Sequence, residues 1–215
     1  AAGGAGENFV AFELPGIEEP LRQHKHHRWR LDRSQIETYG LGGHLSAEKL
    51  WWEHVRLGER SLNFVSLSPW LSLCVLVCED LAQQEPVARM VRAVGPNLVI
   101  AVLMDGPQLL TRWPARYATV LADDPGSSVL TLTSLGMCRR SVPPGRSPSR
   151  VIALWKDASP HSRGAQEIAI GQGADGVVLN LLVELEEEWT ADGRSDCGVA
   201  GRPVLVGAYD VKLPS

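Results

Sequence analysis

Four cysteines in 215 residues (Cys74, Cys78, Cys138 and Cys197) are too few for a disulfide-stapled scaffold. No Cys-x-x-Cys or Cys/His spacing marks a metal site, and a reducing cytosol is the expected compartment. Cys74 and Cys78 would share one face of a strand, too far apart to bridge. No apolar run approaches the roughly 18 residues that a membrane span takes. No signal-peptide pattern opens the chain; Ala1-Ala-Gly-Gly-Ala-Gly6 without Met is expected to be a processed, excised or tagged terminus. Positive charge is not in excess: 21 Lys and Arg stand against 25 Asp and Glu, a formal charge of −4. That excludes a chain-wide electrostatic footprint for nucleic acid. No internal repeat is present, which excludes a solenoid or propeller. The apolar fraction of 44% is ample for a core, so one large domain is the default, with two small ones the alternative.

What is present centres on Leu71-Ser-Leu-Cys-Val-Leu-Val-Cys-Glu-Asp80, a continuous apolar run that reads as a buried strand closed by two acids. Before it, Asn8–Leu14 alternates as a strand and Pro15-Gly16 turns it. In the basic island from Arg22 to Arg30, Trp29 and Leu31 alternate as inward residues, and Tyr39–Gly43 reads as a loop. Ser46 followed by Lys49 gives a partial capping signal for a helix over 46–55, with Leu50, Trp51 and His54 on one face. Leu62–Leu67 is a strand that turns at Ser68-Pro69.

After it, Gln83–Pro86 opens an amphipathic helix with Val87, Met90, Val91 and Val94 at i, i+3, i+4 and i+7, stopped by Gly95-Pro96. Asn97–Met104 is a second buried strand, closed by Asp105–Pro107. Leu109–Leu121 is a helix with Trp113, Tyr117, Val120 and Leu121 inward, and Ser128–Ser134 a strand. Ser141–Ser149 reads as a flexible basic loop. Val151–Trp155, Gln166–Ile170 and Gly176–Val183 are strands spaced as antiparallel hairpins. Asp192–Pro203 is a polar tail, and Val204–Gly207 a last short strand. Strand–helix–strand–helix–strand followed by a β meander predicts an α/β sandwich with a parallel or mixed sheet.

Three features carry chemistry. Cys78 stands where a buried strand turns into a helix; in open α/β sheets ligands gather beyond such strand ends. A thiolate there, beside a cation, is a good nucleophile, whereas a cysteine that only packs is core filler. Lys25 lies in His24-Lys-His-His27, a run that is ordinarily a solvated face or an anion contact. It makes a poor metal site, because adjacent strand residues point to opposite faces. Glu53 follows Trp51-Trp52, and periodicity alone makes it an exposed helix acid.

The Val77-Cys-Glu-Asp80 strand end with Pro86 and its helix resembles the nucleophile elbow of the nitrilase superfamily, the carbon–nitrogen hydrolases. Cys-Glu-Asp is similar to the glutaminase domains of glutamine-dependent NAD synthetases. The resemblance spans roughly residues 8 to 185 and includes the Trp113-Pro-Ala-Arg-Tyr-Ala118 helix. More narrowly, His24–Trp29, Trp51-Trp-Glu53, Cys78-Glu-Asp-Leu81, Met104-Asp-Gly-Pro-Gln108 and Arg116–Asp124 resemble the nitrilase-like domain fused behind bacterial reverse transcriptases that act in phage defence.

The resemblance implies an αββα sandwich of mixed sheets covered by helices, and a Glu-Lys-Cys site. Cys78 would attack an amide or nitrile carbon and form a thioester or thioimidate. Lys25 would stabilise the oxyanion, and Glu53 would position Lys25 and help activate water. A fixed ammonium beside a developing oxyanion in a dry site contributes several kcal/mol, and the Glu79 backbone N–H would be a further donor. Asp105, Trp113 and Arg116 are candidates for the substrate pocket, and neither metal nor cofactor is implied. The implied partners are a small amide or nitrile substrate, a second copy of the chain in a homo-oligomer, and a fused or associated reverse transcriptase, all away from the membrane in the cytoplasm.

The pattern departs from the family in one respect. The general-base glutamate there ends an earlier strand well before the lysine, and only 24 residues precede Lys25. Phe12-Glu-Leu-Pro15 is similar to that strand end but stands too close to Lys25. Two explanations stay open. Either 1–215 is a single nitrilase-like domain truncated at its N-terminus, its first strand–helix–strand missing or supplied by another segment, or the domain lacks its base. Residues 186–215 would then be a polar C-terminal extension. The competing reading is a catalytically weak nitrilase-fold module that serves assembly within a larger effector. A third is nucleic-acid binding through Arg22, Lys25, Arg28, Arg30 and Arg33.

Overall fold

A computed structural model gives the fold for residues 4–14, 16–58, 60–142, 145–158, 164–193 and 195–214; at 188 and 195–198 the backbone alone is described. Pro15 of the expected first turn, Pro143 and Pro144 of the expected basic loop, and the Cys197 side chain lie outside the described residues.

The apolar runs set the architecture. Strands β5 (Phe64–Ser68), β6 (Leu71–Val77), β7 (Leu98–Val102), β8 (Ser128–Leu132), β9 (Val151–Lys156) and β10 (Gln166–Ala169) form one six-stranded mixed sheet, in the order β10-β9-β8-β7-β6-β5. β6, β7 and β8 are parallel, with Cys74 opposite Val99 and Val99 opposite Val129. β5, β9 and β10 join antiparallel at the two edges.

A strand turns successive side chains to opposite faces, so each continuous apolar run feeds two cores. Cys74, Leu76, Val99, Ala101, Val129 and Leu154 enter one of them. Leu73, Val75, Leu98, Ala153 and Trp155 enter the other. The parallel crossovers cover the first face with α2 (Arg89–Val94) and α3 (Trp113–Asp123), whose Val91, Ala115, Ala118 and Leu121 pack there. The second face is covered by strands. These are β1 (Phe9–Phe12), paired with β2 (Leu21–His24), and the long hairpin of β11 (Gly176–Trp189) and β12 (Ser195–Val211). Val10, Phe12, Val177, Leu179 and Leu205 pack into that core. The molecule is therefore mixed α/β, with helices on one side of the sheet and hairpins on the other.

Several expectations are corrected. Residues 46–55 are not a helix: Trp51–Trp52 is a short strand, β4, paired with β3 (Arg30–Leu31), Leu31 opposite Trp51. Two bulky aromatics have little helix preference and fit a pleated ladder, so a non-local pairing overrides the weak cap at Ser46. Asp192–Pro203 is not an open polar tail, because residues 195–203 belong to β12, with Arg202 opposite Glu184 and Pro203 opposite Val183. Backbone pairing along a hairpin needs no hydrophobic residues of its own once the partner strand is fixed.

Two short helices went unread: α1 (Arg33–Thr38) and α4 (Leu135–Arg140). The first carries a legible signal, since Asp32 accepts from the Gln35 N–H while the Gln35 side chain accepts from the Asp32 N–H, a full capping box. The helix after β6 starts late. Cys78–Ala82 is a 3-10 turn, Glu85 is extended, and regular helix begins at Arg89. Met90 and Val94, expected to face inward, are exposed. Gly95 does end this helix, in the left-handed conformation (φ 64°). The next helix begins at Trp113 rather than Leu109, with Pro114 in its first turn, and its deepest face is Ala115, Ala118 and Ala122. Those small side chains let the helix lie close to the sheet.

Candidate functional site

Cys78 ends the apolar run of β6 and begins the 3-10 turn. It is the one non-glycine residue with a positive φ (52°) among the described residues. That conformation strains a residue with a Cβ by roughly 1–2 kcal/mol, and it lifts the thiol off the end of the sheet as a nucleophile elbow does. The sulfur borders a cavity of about 270 Å³ walled by Trp29, Tyr39, Trp113, Tyr117 and Met104, with the carboxylates of Glu79 and Asp105 at its edge. Burial pushes the Cys78 thiol up, and the Lys25 charge and the Met104 backbone hydrogen bond oppose that shift.

Lys25 follows β2, whose pairing with β1 is extended by the Lys25 N–H donating to the Asn8 carbonyl at 2.9 Å. The side chain is buried, and its Nζ donates to Glu53 Oε2 at 2.5 Å. Glu53 owes this position to the β3–β4 pairing, which continues with the Glu53 N–H donating to the Trp29 carbonyl at 2.9 Å. Its carboxylate also accepts from Asn8 Nδ2 at 2.7 Å and from the Trp29 N–H at 3.1 Å. Burial alone would raise the Glu53 carboxyl, but the bonds from Lys25, Trp29 and Asn8 outweigh it and hold the group below its ordinary range. Glu53 is thus a fixed anion, and Lys25 a fixed cation whose charge reaches Cys78.

Asp80, two residues beyond Cys78, ties the two halves of the site together. It is 1% exposed. Its carboxylate accepts from the His26 N–H at 2.9 Å, the His27 N–H at 3.0 Å and His27 Nδ1 at 2.9 Å. Burial pushes the Asp80 carboxyl up, and the His26 and His27 bonds work against that. Through these bonds the turn that carries Cys78 holds the loop that follows Lys25. Asp80→Ala leaves two backbone N–H groups without a partner beside a buried site. It is expected to lower stability by about 3 kcal/mol, read as a reduced midpoint in urea unfolding with an unchanged m-value.

Asp105 also lines the cavity. Arg112 Nη2 donates to it at 2.7 Å, Trp113 Nε1 at 2.9 Å and the Tyr39 hydroxyl at 3.3 Å. Burial and the Asp105 charge raise the Tyr39 phenol. Gly106 is required here, since a Cβ would collide with the Arg112 guanidinium and with Ser141.

The structure thus brings together Cys78, Lys25, Glu53, Glu79, Asp105 and Trp113. Arg116 is corrected: it is exposed on the outer face of α3 and does not line the cavity, because the inward positions of that helix are taken by alanines. Glu13 is likewise exposed. Trp29 and Tyr117, expected only as inward residues, and Tyr39 and Met104 also line the cavity; the capping box at Asp32 is the signal that places Tyr39 at a helix end. Among the described residues no group of three or more His, Cys, Asp or Glu side chains could hold a metal ion, and no helix is long and apolar enough to cross a membrane. No protein-family model matches the chain, and no curated protein is significantly similar to it.

Proposed function

We propose that the chain is a carbon–nitrogen hydrolase domain of nitrilase type that cleaves a small amide through a thioester on Cys78. The observation that carries this reading is the convergence of a strained, cavity-lining thiol with an ion pair between buried Lys25 and half-buried Glu53, whose cation acts on that thiol. The thiol gives up its proton, the sulfur attacks the carbonyl carbon, and the oxyanion forms beside the Lys25 ammonium. Ammonia leaves with the transferred proton, and water cleaves the thioester to the carboxylic acid.

Glu53 holds Lys25 in place. Glu79, which lines the cavity, supplies the carboxylate for proton transfer, since its side chain accepts a single long bond among the described residues, from Gln83 Nε2 at 3.4 Å. The aromatic walls and the small volume suit a compact amide or nitrile better than a polymer. Helices on one face of the sheet and strands on the other are the layering that half of an αββα sandwich would have, which supports the fold side of the proposal.

Alkylation tests it. Cys74 and Cys138 are fully buried, and burial pushes the Cys74 thiol up to about 12. Iodoacetamide at pH 8, followed by peptide mass mapping, is expected to label Cys78 at least tenfold faster than Cys74 or Cys138. Equal rates would remove the nucleophile from the reading.

A second reading, assembly, has its own support. The β11–β12 hairpin exposes Leu181, Leu182, Leu185, Val206 and Tyr209, more apolar surface than a solvated ribbon ordinarily shows. On that reading light scattering gives a dimer or larger species, and Leu182→Glu with Val206→Glu gives a monomer. A monomeric unaltered protein would sink it.

A further inference from the structure

The basic island is not used up by the Lys25 site. His26, His27 and Arg28 turn toward a second recess, closed by Trp52, Leu57, Arg60 and Gln83 and holding about 460 Å³. Among the described residues no carboxylate lines it, although the chain as a whole is acidic. Arg60 makes no ion pair or hydrogen bond among the described residues. Arg28 donates its Nε and one Nη2 proton to the Val55 carbonyl at 3.1 and 3.0 Å. That fixes the guanidinium on the wall and leaves its other donors for a ligand.

Trp52 is 60% exposed, with the Arg30 guanidinium 5.9 Å from its ring centre. A large flat aromatic ring held in the open beside fixed cations is a stacking platform.

One buried polar atom points the same way. His26 is 3% exposed and lines the recess. Its Nε2 must carry a proton, because it faces the Ser61 carbonyl at 2.8 Å. Its Nδ1 is buried without any hydrogen-bond partner. Buried polar atoms are nearly always satisfied, and this unsatisfied one belongs to a residue that lines the recess.

We infer that this recess binds a nucleotide unit, its phosphate held by Arg28 and Arg60 and its base stacked on Trp52. The unit comes either as a free nucleotide or as one nucleotide of a single strand. The site is separate from the thiol: Cys78 does not line it, and binding is independent of hydrolysis.

Isothermal titration of the full chain with dAMP, deoxyadenosine, inorganic phosphate and a deoxyadenylate decamer, at 50 and 200 mM salt, tests it. dAMP is expected to bind at least tenfold more tightly than deoxyadenosine or phosphate. Trp52→Ala and Arg60→Ala are each expected to weaken it at least fivefold. Trp52→Phe should recover most of that loss, since it keeps a stacking face, and it guards against a folding defect. Arg89→Ala, an exposed cation elsewhere, and Cys78→Ser should leave binding unchanged. A decamer bound at least tenfold more tightly than dAMP, and weakened at least tenfold by the added salt, identifies a single strand as the source; equal affinities identify the free nucleotide. The inference is overturned if dAMP does not bind, if it binds no better than phosphate, or if Arg89→Ala weakens binding as much as Arg60→Ala.

Discussion

Cys78→Ser is expected to abolish ammonia release from any small amide that the unaltered protein hydrolyses, a loss of at least about 10⁴-fold in kcat. Cys138→Ala should stay within about threefold, because Cys138 is the buried residue of α4, away from the cavity, and its thiol donates to the Val151 carbonyl. The size of the first effect follows from the chemistry. A hydroxyl in the same strained position is a far weaker nucleophile, and the residual rate would come from Lys25 and the cavity alone.

The unaltered reaction should depend on pH in a defined direction. Burial raises the Cys78 thiol, so the thiolate is scarce at neutral pH and the rate should climb by about tenfold per unit from pH 7 until the thiol titrates. Lys25→Met removes the charge that opposes this shift. It should move the climb to higher pH and slow alkylation of Cys78 at any fixed pH. A flat profile between pH 7 and 9 in the unaltered protein would contradict the role given to the thiol. Ammonia release surviving in Cys78→Ser would contradict it more directly.

The second large effect concerns the ion pair. Lys25→Met is expected to destabilise the fold by about 2 kcal/mol, because it leaves the half-buried Glu53 carboxylate with only its Asn8 and Trp29 bonds. Glu53→Gln should cost a comparable amount by stranding a lysine that is 3% exposed. The double variant Lys25→Met/Glu53→Gln should lose clearly less than the sum, since neither charge is then left alone. Urea unfolding of all four proteins gives the coupling energy; strict additivity would mean that the 2.5 Å contact does nothing for stability.

The pair also fixes how stability responds to acid. The native Glu53 carboxyl lies below its ordinary value of 4.5, so in this range the unfolded chain binds more protons than the native one. The contribution is full above about pH 4.5, declines as pH falls through the lowered native value, and is absent below it. The acid limb of the unfolding profile should be shallower in Glu53→Gln.

How much of this could be read from residues in order depends on where the determining contact lies. The apolar runs at 71–77 and 98–102 are their own evidence, because burial on both faces needs only the run itself. Cys78 at the end of the first run and Gly95 as a helix stop are local statements of the same kind. Residues 46–55 are the counterexample. A serine and a helical spacing of Leu50, Trp51 and His54 suggest a helix there, and the strand pairing with Arg30–Leu31, some twenty residues away, decides otherwise. Arg116 shows the limit on the other side. Its neighbours in the sequence pack inward, yet the helix turns it outward, and rotation about a helix axis is set by the surface the helix lies on.

The sequence by itself determined an α/β chain with its central strands buried on both faces and a thiol at the mouth of one of them. It also supplied the lysine and the glutamate, but nothing in their spacing of 28 residues says that they meet. Only the tertiary structure decided that, by pairing Trp51–Trp52 with Arg30–Leu31 so that Glu53 swings under Lys25. It decided also that Asp80 would hold the loop after that lysine across 54 residues of chain. The physical reason is common to both. A carboxylate can be drawn into a protein interior only where donors from distant segments arrive together, and their arrival depends on strand pairings that local preference does not encode.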